Sequence, residues 1–151
     1  MIATRALLGP TALGAIVLLV LNDHVLKAHA PGVVTGKLSD IAGLIFFPLL
    51  LASAFEHLGV RRGRALVVGT SLATGVAFSA IKLWEPAGDC YRIGLAALQW
   101  PFKALAAAVT DSALPALGRV QLTADPTDLL VLPMLLVPVL LTRPRTAAAS
   151  A

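Results

Sequence analysis

Four aspartates stand where hydrophobic segments begin or end: Asp23, Asp40, Asp125 and Asp128. Lysines lie close to them at Lys27, Lys37 and, near another segment end, Lys82. Two carboxyls sharing a proton can activate water, one as base and one as acid. That makes the four aspartates candidate catalytic groups. The same residues support a second chemistry. Lysines can hold an anionic group while aspartates fix them in place. Asp23, Lys27, Lys37, Asp40, Lys82 and Asp128 are the candidate ligand-binding set. Two short segments look alike. Lys37-Leu38-Ser39-Asp40-Ile41-Ala42-Gly43-Leu44 and Asp125-Pro126-Thr127-Asp128-Leu129-Leu130 each place a hydroxyl residue and an aspartate at the mouth of an apolar run.

Each feature has a plainer explanation. Asp23 and Lys27 share a helix face at four-residue spacing, and a surface pair of this kind contributes under about 1 kcal/mol. Asp40 and Asp128 suit the first turn of a helix, where free N–H groups favour Ser, Thr and Asp. Capping needs one such residue per helix, however, and Lys37 and Asp125 stand within three residues of the caps. Extra charge at bilayer depth marks a site. Lys82 and Glu85 flank Trp84, which fits snorkelling at an interface. His24 and His29 lack a third ligand at metal spacing, so no metal site is expected. The single Cys90 excludes an internal disulfide and a cysteine metal cluster. Phosphate-binding glycine loops, zincin motifs and nucleophilic-serine motifs are missing, and no cofactor is expected.

These residues need elements to hold them. The chain has 151 residues, of which 58% are hydrophobic and 13% charged. Its mean hydropathy is +0.86. Soluble domains carry about 25% charged residues, and the apolar residues here come in long runs, so lipid is the expected solvent. The length fits one domain over residues 1–151. The expected fold is all-α, a polytopic bundle of four transmembrane helices. The spans are placed at about 7–26, 39–55, 65–83 and 127–141. Pro10 suits a first-turn position, and Pro48, Pro133 and Pro138 should kink their helices. Between the third and fourth spans, Leu95, Leu98, Phe102, Leu105 and Val109 share one face. Arg92, Gln99, Lys103 and Thr110 lie opposite. That period predicts an interfacial amphipathic helix over about 92–110, with Pro101 weakening it and a fifth span as the alternative.

A sequence pI near 9.8 raises nucleic acid, but the only dense basic cluster is Arg61-Arg62-Gly63-Arg64. Between apolar runs that cluster reads as a cytoplasmic loop, and no nucleic-acid partner is expected. Arg5 before an apolar run and Ala28-His29-Ala30 imitate a cleavable leader. Pro31 directly after the small residues, and Asn22, Asp23, His24 and Lys27 before them, favour a retained helix. The expected location is the inner membrane, multi-pass, with both termini cytoplasmic. All lysines and aspartates then fall on the outer face, where a lipid or anionic ligand is the expected partner beside the bilayer itself. The similar segments also suggest a parallel repeat about the membrane normal.

Asn22-Asp23-His24 with Lys27, Thr35-Gly36-Lys37-Leu38-Ser39-Asp40 with Gly43-Leu44, Lys82 with Trp84 and Pro86, and Asp125-Pro126-Thr127-Asp128-Leu129 resemble a family of small bacterial membrane proteins without an assigned activity. The likeness covers about residues 20–140 and implies a fold type alone. A second likeness is to lipoprotein signal peptidase, signal peptidase II, an aspartyl protease with four spans. Asp23 and Lys27 match its first-helix pattern at two positions. Ala124-Asp125 matches part of the pattern before its last helix, which would make Asp125 a catalytic candidate. Its Gly-Asn-x-x-Asp-Arg and Asn-x-Gly-x-Ala-Phe regions are missing here. The leading expectation is a membrane protein of unassigned activity whose outer-face charged cluster binds a ligand, lipid head group or partner. An intramembrane aspartyl-type hydrolase and a small transporter or channel are the alternatives. For the latter, helix interiors offer only Thr70, Ser71, Thr74 and Ser79.

Overall fold

A computed structural model describes residues 1–29, 32–60, 62–120 and 122–143. Every regular element among them is helical. In chain order they are α1 (Ile2–Leu7), α2 (Pro10–His29), α3 (Val33–His57), α4 (Gly63–Leu83), α5 (Glu85–Val109) and α6 (Pro126–Leu141). Three of these, α2, α3 and α4, are long and apolar enough to cross a membrane. The chain forms two compact units, one of Met1–Val76 with the chain from Asp128 onward, the other of Ala77–Thr127.

In the first unit, Pro10 occupies the opening turn of α2 as its spacing predicts, with Gly9 extended before it. Its fixed φ and missing N–H do no harm there. The span therefore opens at Pro10, not residue 7, because Leu8 and Gly9 break the chain after the short α1. The second helix also departs from expectation. It starts at Val33 rather than residue 39. Thr35 explains the early start: its hydroxyl accepts from the Gly32 N–H at 3.0 Å and donates to the Gly32 carbonyl at 2.9 Å. A hydroxyl three residues into a helix thus ties down groups that the ladder leaves free.

Small side chains let these helices approach closely. Ala3, Ala12, Leu49, Ala52 and Val67 form a buried cluster flanked by Leu7 and Leu66. Small residues at such contacts let helix backbones approach closely. Pro48 is fully buried inside α3. Thr70 of α4 donates to the Pro48 carbonyl at 2.9 Å, a polar link between two apolar helices. Gly75 permits another close approach, since a Cβ there would lie 2.8 Å from the Leu135 Cδ1 of α6. Large apolar side chains such as Leu72, Val76 and Leu130 are exposed.

α6 is not a uniform α-helix. Residues Pro126–Leu135 form a 3-10 helix and Leu136–Leu141 an α-helix. Pro133 and Pro138 lack the N–H that a continuous ladder would need.

In the second unit, Trp84 caps α5 in an extended conformation, and Pro86 sits in the opening turn. The helix runs over Glu85–Val109, longer than the 92–110 expected, and Pro101 is accommodated inside it. Asp111 has φ of 51°, a left-handed turn that aspartate tolerates and that reverses the chain. Residues 112–120 then run back without regular structure. The Trp100 indole N–H donates to the Pro115 carbonyl at 2.9 Å, and the Val120 N–H to the Arg92 carbonyl at 3.3 Å. Leu98, Phe102, Leu105 and Val109 of the expected apolar stripe are exposed, and Leu95 is half-buried.

Candidate functional site

Four of the charged residues singled out by sequence form two pairs in the first unit, Asp23–Lys27 where the end of α2 adjoins α3, and Lys37–Asp128 between α3 and α6. The last part of α2 holds a π-helical turn, Asn22–Leu26. Such turns add a residue to the helix and re-aim the side chains around it. Asn22 is fully buried as a result. Its Nδ2 donates to the Thr35 carbonyl at 2.6 Å and to Ser39 Oγ at 2.7 Å. Ser39 Oγ in turn donates to Asp23 Oδ1 at 2.7 Å. Lys27 Nζ donates to the same oxygen at 2.6 Å. A chain of polar groups therefore runs from the interior to the half-exposed Asp23–Lys27 pair. Asn22 Oδ1 is buried and has no partner among the described residues.

A second charge pair lies in the same unit. Lys37 Nζ donates to Asp128 Oδ1 at 2.7 Å, joining α3 to α6. The Asp128 side chain is 9% exposed and that of Lys37 26%. Removing one partner from a pair this buried leaves an uncompensated charge and costs about 3–5 kcal/mol. Asp23 and Asp128 are thus each given to a separate lysine.

The capping expectation changes at both segments. Asp40 lies well inside α3, whose start is closed by Gly32 and Thr35, so Asp40 is not a cap. Asp128 lies in the first turn of α6 but turns to Lys37. The residue that caps α6 is Asp125, whose Oδ1 accepts from the Thr127 N–H at 2.8 Å. The matching segments therefore stand in different helical registers despite their shared letters.

The second unit holds Lys82, which is buried. Its Nζ lies 5.3 Å from the centre of the Phe78 ring and 3.5 Å from the Thr123 carbonyl. With Trp84, Glu85, Arg92 and Leu122 it lines a cavity of about 270 Å³. His24 and His29 turn their Nδ1 atoms to the backbone carbonyls of Val20 and Val25. Among the described residues no three metal-ligating side chains converge.

Sequence reasoning missed the polar feature at the opposite end of the first unit. Glu56, at the end of α3, is buried. Its Oε1 accepts from the Ile2 and Ala3 N–H groups at 2.9 and 3.1 Å. Its Oε2 accepts from the Thr4 N–H at 3.2 Å and the Thr4 hydroxyl at 3.1 Å. Ser53 Oγ stands 3.0 Å from that hydroxyl. A carboxylate distant in sequence thus caps α1, favoured by the positive end of the helix. No local signal around Glu56 points to a partner at the start of the chain. Asn22, Thr35 and Ser39 were also outside the proposed set, although all three stand in the motifs that supplied it.

No family model matches the sequence, no curated protein matches it, and no solved structure matches its fold.

Proposed function

We propose that the protein is a four-span membrane protein whose charged cluster at one end of the helices binds an anionic group. The cluster comprises Asp23, Lys27, Lys37, Asp40 and Asp128 of the first unit, with Asn22 and Ser39 positioning Asp23. The observation that carries the reading is the Lys37–Asp128 pair, a 2.7 Å contact between helices with the carboxylate almost wholly buried. Such pairs are weak contributors to stability, and charge at a segment end in an apolar chain is retained for function. Asp23 and Asp128 each hold their own lysine instead of facing another carboxyl, which favours binding over the hydrolase alternative. Thr70 donates across to the Pro48 carbonyl at 2.9 Å and Thr74 to the Thr70 carbonyl of its own helix at 2.8 Å, so main-chain bonds account for them and the transporter reading gains no support.

The short α6 serves as the fourth span through its 3-10 geometry. Ten residues rising about 2.0 Å each and six rising about 1.5 Å each reach about 29 Å. The hydrocarbon core is about 30 Å thick. α5 lies in the interface with its exposed apolar stripe toward the acyl chains. Four spans return both termini to one side, and the arginines at 61, 62 and 64 make that side the cytoplasm. The cluster then faces outward from the inner membrane. A topology reporter fused after Arg143 is expected to read as cytoplasmic, and an outside reading overturns the orientation.

Binding is tested by native mass spectrometry of the full chain in dodecylmaltoside. The expected result is retained phosphatidylglycerol, in preference to phosphatidylcholine, that Lys27→Ala diminishes without lowering helical content. Equal retention by wild type and variant, or no preference between the lipids, contradicts the reading.

A further inference from the structure

The second unit carries a cavity that the proposed cluster does not use. It lies between α5 and the returning segment 112–120, with a volume of about 240 Å³. Lys103, Gln99 and Trp100 line it from the helix, and Pro115 and Arg119 from the segment. No carboxylate is among its lining residues. Gln99 and Lys103 make no hydrogen bond or ion pair with any described residue. Arg119 stands 3.6 Å from Asp89, but Arg92 holds the same Asp89 oxygen at 2.8 Å. One carboxylate therefore serves two guanidiniums, and positive charge is left over beside the cavity. The Trp100 indole bond to the Pro115 carbonyl fixes the opposite wall.

We propose that this cavity is an anion site that takes a phosphoryl group through Lys103, Arg119 and the Gln99 amide. Arg119 supplies paired N–H donors suited to phosphoryl oxygens, Lys103 a mobile point charge, and Gln99 a neutral donor. The volume accommodates one such group with bound water. A free phosphate and the phosphodiester of an anionic lipid present the same chemistry. The site is independent of the Lys37–Asp128 cluster, and variants of Lys27 or Lys37 should leave it unaltered.

Trp100 provides the readout. The full chain carrying Trp84→Phe, in dodecylmaltoside, is titrated with sodium phosphate in one arm and with phosphatidylglycerol in the other. The expected result is a saturable change in Trp100 fluorescence. Lys103→Ala or Arg119→Ala should weaken binding about tenfold each, Lys103→Arg should retain it, and added NaCl should weaken it further. A response in both arms identifies the phosphoryl group as sufficient, and a response to the lipid alone identifies the headgroup as the ligand. No saturable response in either arm overturns the site. So does equal binding by the Lys103→Ala/Arg119→Ala double variant. Both side chains are exposed enough that the circular dichroism of the variants should match the parent.

Discussion

Replacing Glu56 by alanine tests how the first unit is closed. The carboxylate accepts three main-chain N–H groups from the opening turn of α1 and one threonine hydroxyl. Their surroundings differ. Ala3 is fully buried, so its N–H has no access to water once the carboxylate is gone. An unpaired buried donor costs about 1–3 kcal/mol. Ile2 is 45% exposed and its N–H can be rehydrated, so it contributes less. Loss of the negative charge at the helix start adds about 0.5 kcal/mol. Glu56→Ala should therefore destabilise the protein by about 3 kcal/mol. Glu56→Gln keeps one acceptor oxygen and should lose about half as much. The assay is unfolding by dodecyl sulfate in mixed dodecylmaltoside micelles, followed by circular dichroism. Hydrogen exchange at Ile2, Ala3 and Thr4 provides the local readout. A wild-type midpoint for Glu56→Ala, with unchanged protection at those amides, would refute the reasoning.

Other substitutions probe the remaining links. In a double-mutant cycle, Lys37→Met and Asp128→Leu should each destabilise by about 3 kcal/mol, and the double variant should lose much less than their sum. Additive losses would show that the two side chains do not act as a pair. Asp125→Ala should cost about 1 kcal/mol and speed exchange at the Thr127 amide, whereas Asp40→Ala should leave exchange in the first turn of α3 unaltered. The reverse pattern would return Asp40 to a capping role. Thr70→Val should lose about 0.6–1.7 kcal/mol, the range for an interhelical bond in a membrane protein, and a neutral result would count against the bond to Pro48.

Local pattern was legible in the sequence, and long-range pairing was not. The apolar runs marked three helices of spanning length because hydropathy is a local property. Pro10 at the start of α2 was legible because only its own ring and missing N–H decide it. The start of α3 was misplaced because Ser39-Asp40 looks like a cap wherever it stands, and the Gly32–Thr35 arrangement lies before the obvious apolar run. The resemblance between the two Asp-containing segments was real in letters and misleading in register. Asp125 caps one helix from outside, while Asp40 sits well within the other. Asp23–Lys27 was readable from four-residue spacing. Lys37–Asp128 and Glu56 with α1 were not, since each joins residues far apart in the chain. The π-helical turn also left no period to detect, yet it buries Asn22 and brings Ser39 to Asp23.

The central claim is that the paired charges form a binding site and not merely a structural tie. Exchanging the pair as Lys37→Asp with Asp128→Lys tests it most directly. A structural tie needs only opposite charges, so the exchange should restore stability lost in either single variant. A site also needs each charge in its place. Made in the Lys103→Ala/Arg119→Ala background, so that lipid held in the second unit does not count, the exchanged protein should fold with a near-wild-type unfolding midpoint and lose its retained phosphatidylglycerol in native mass spectrometry. Wild-type retention in the exchanged protein would contradict it.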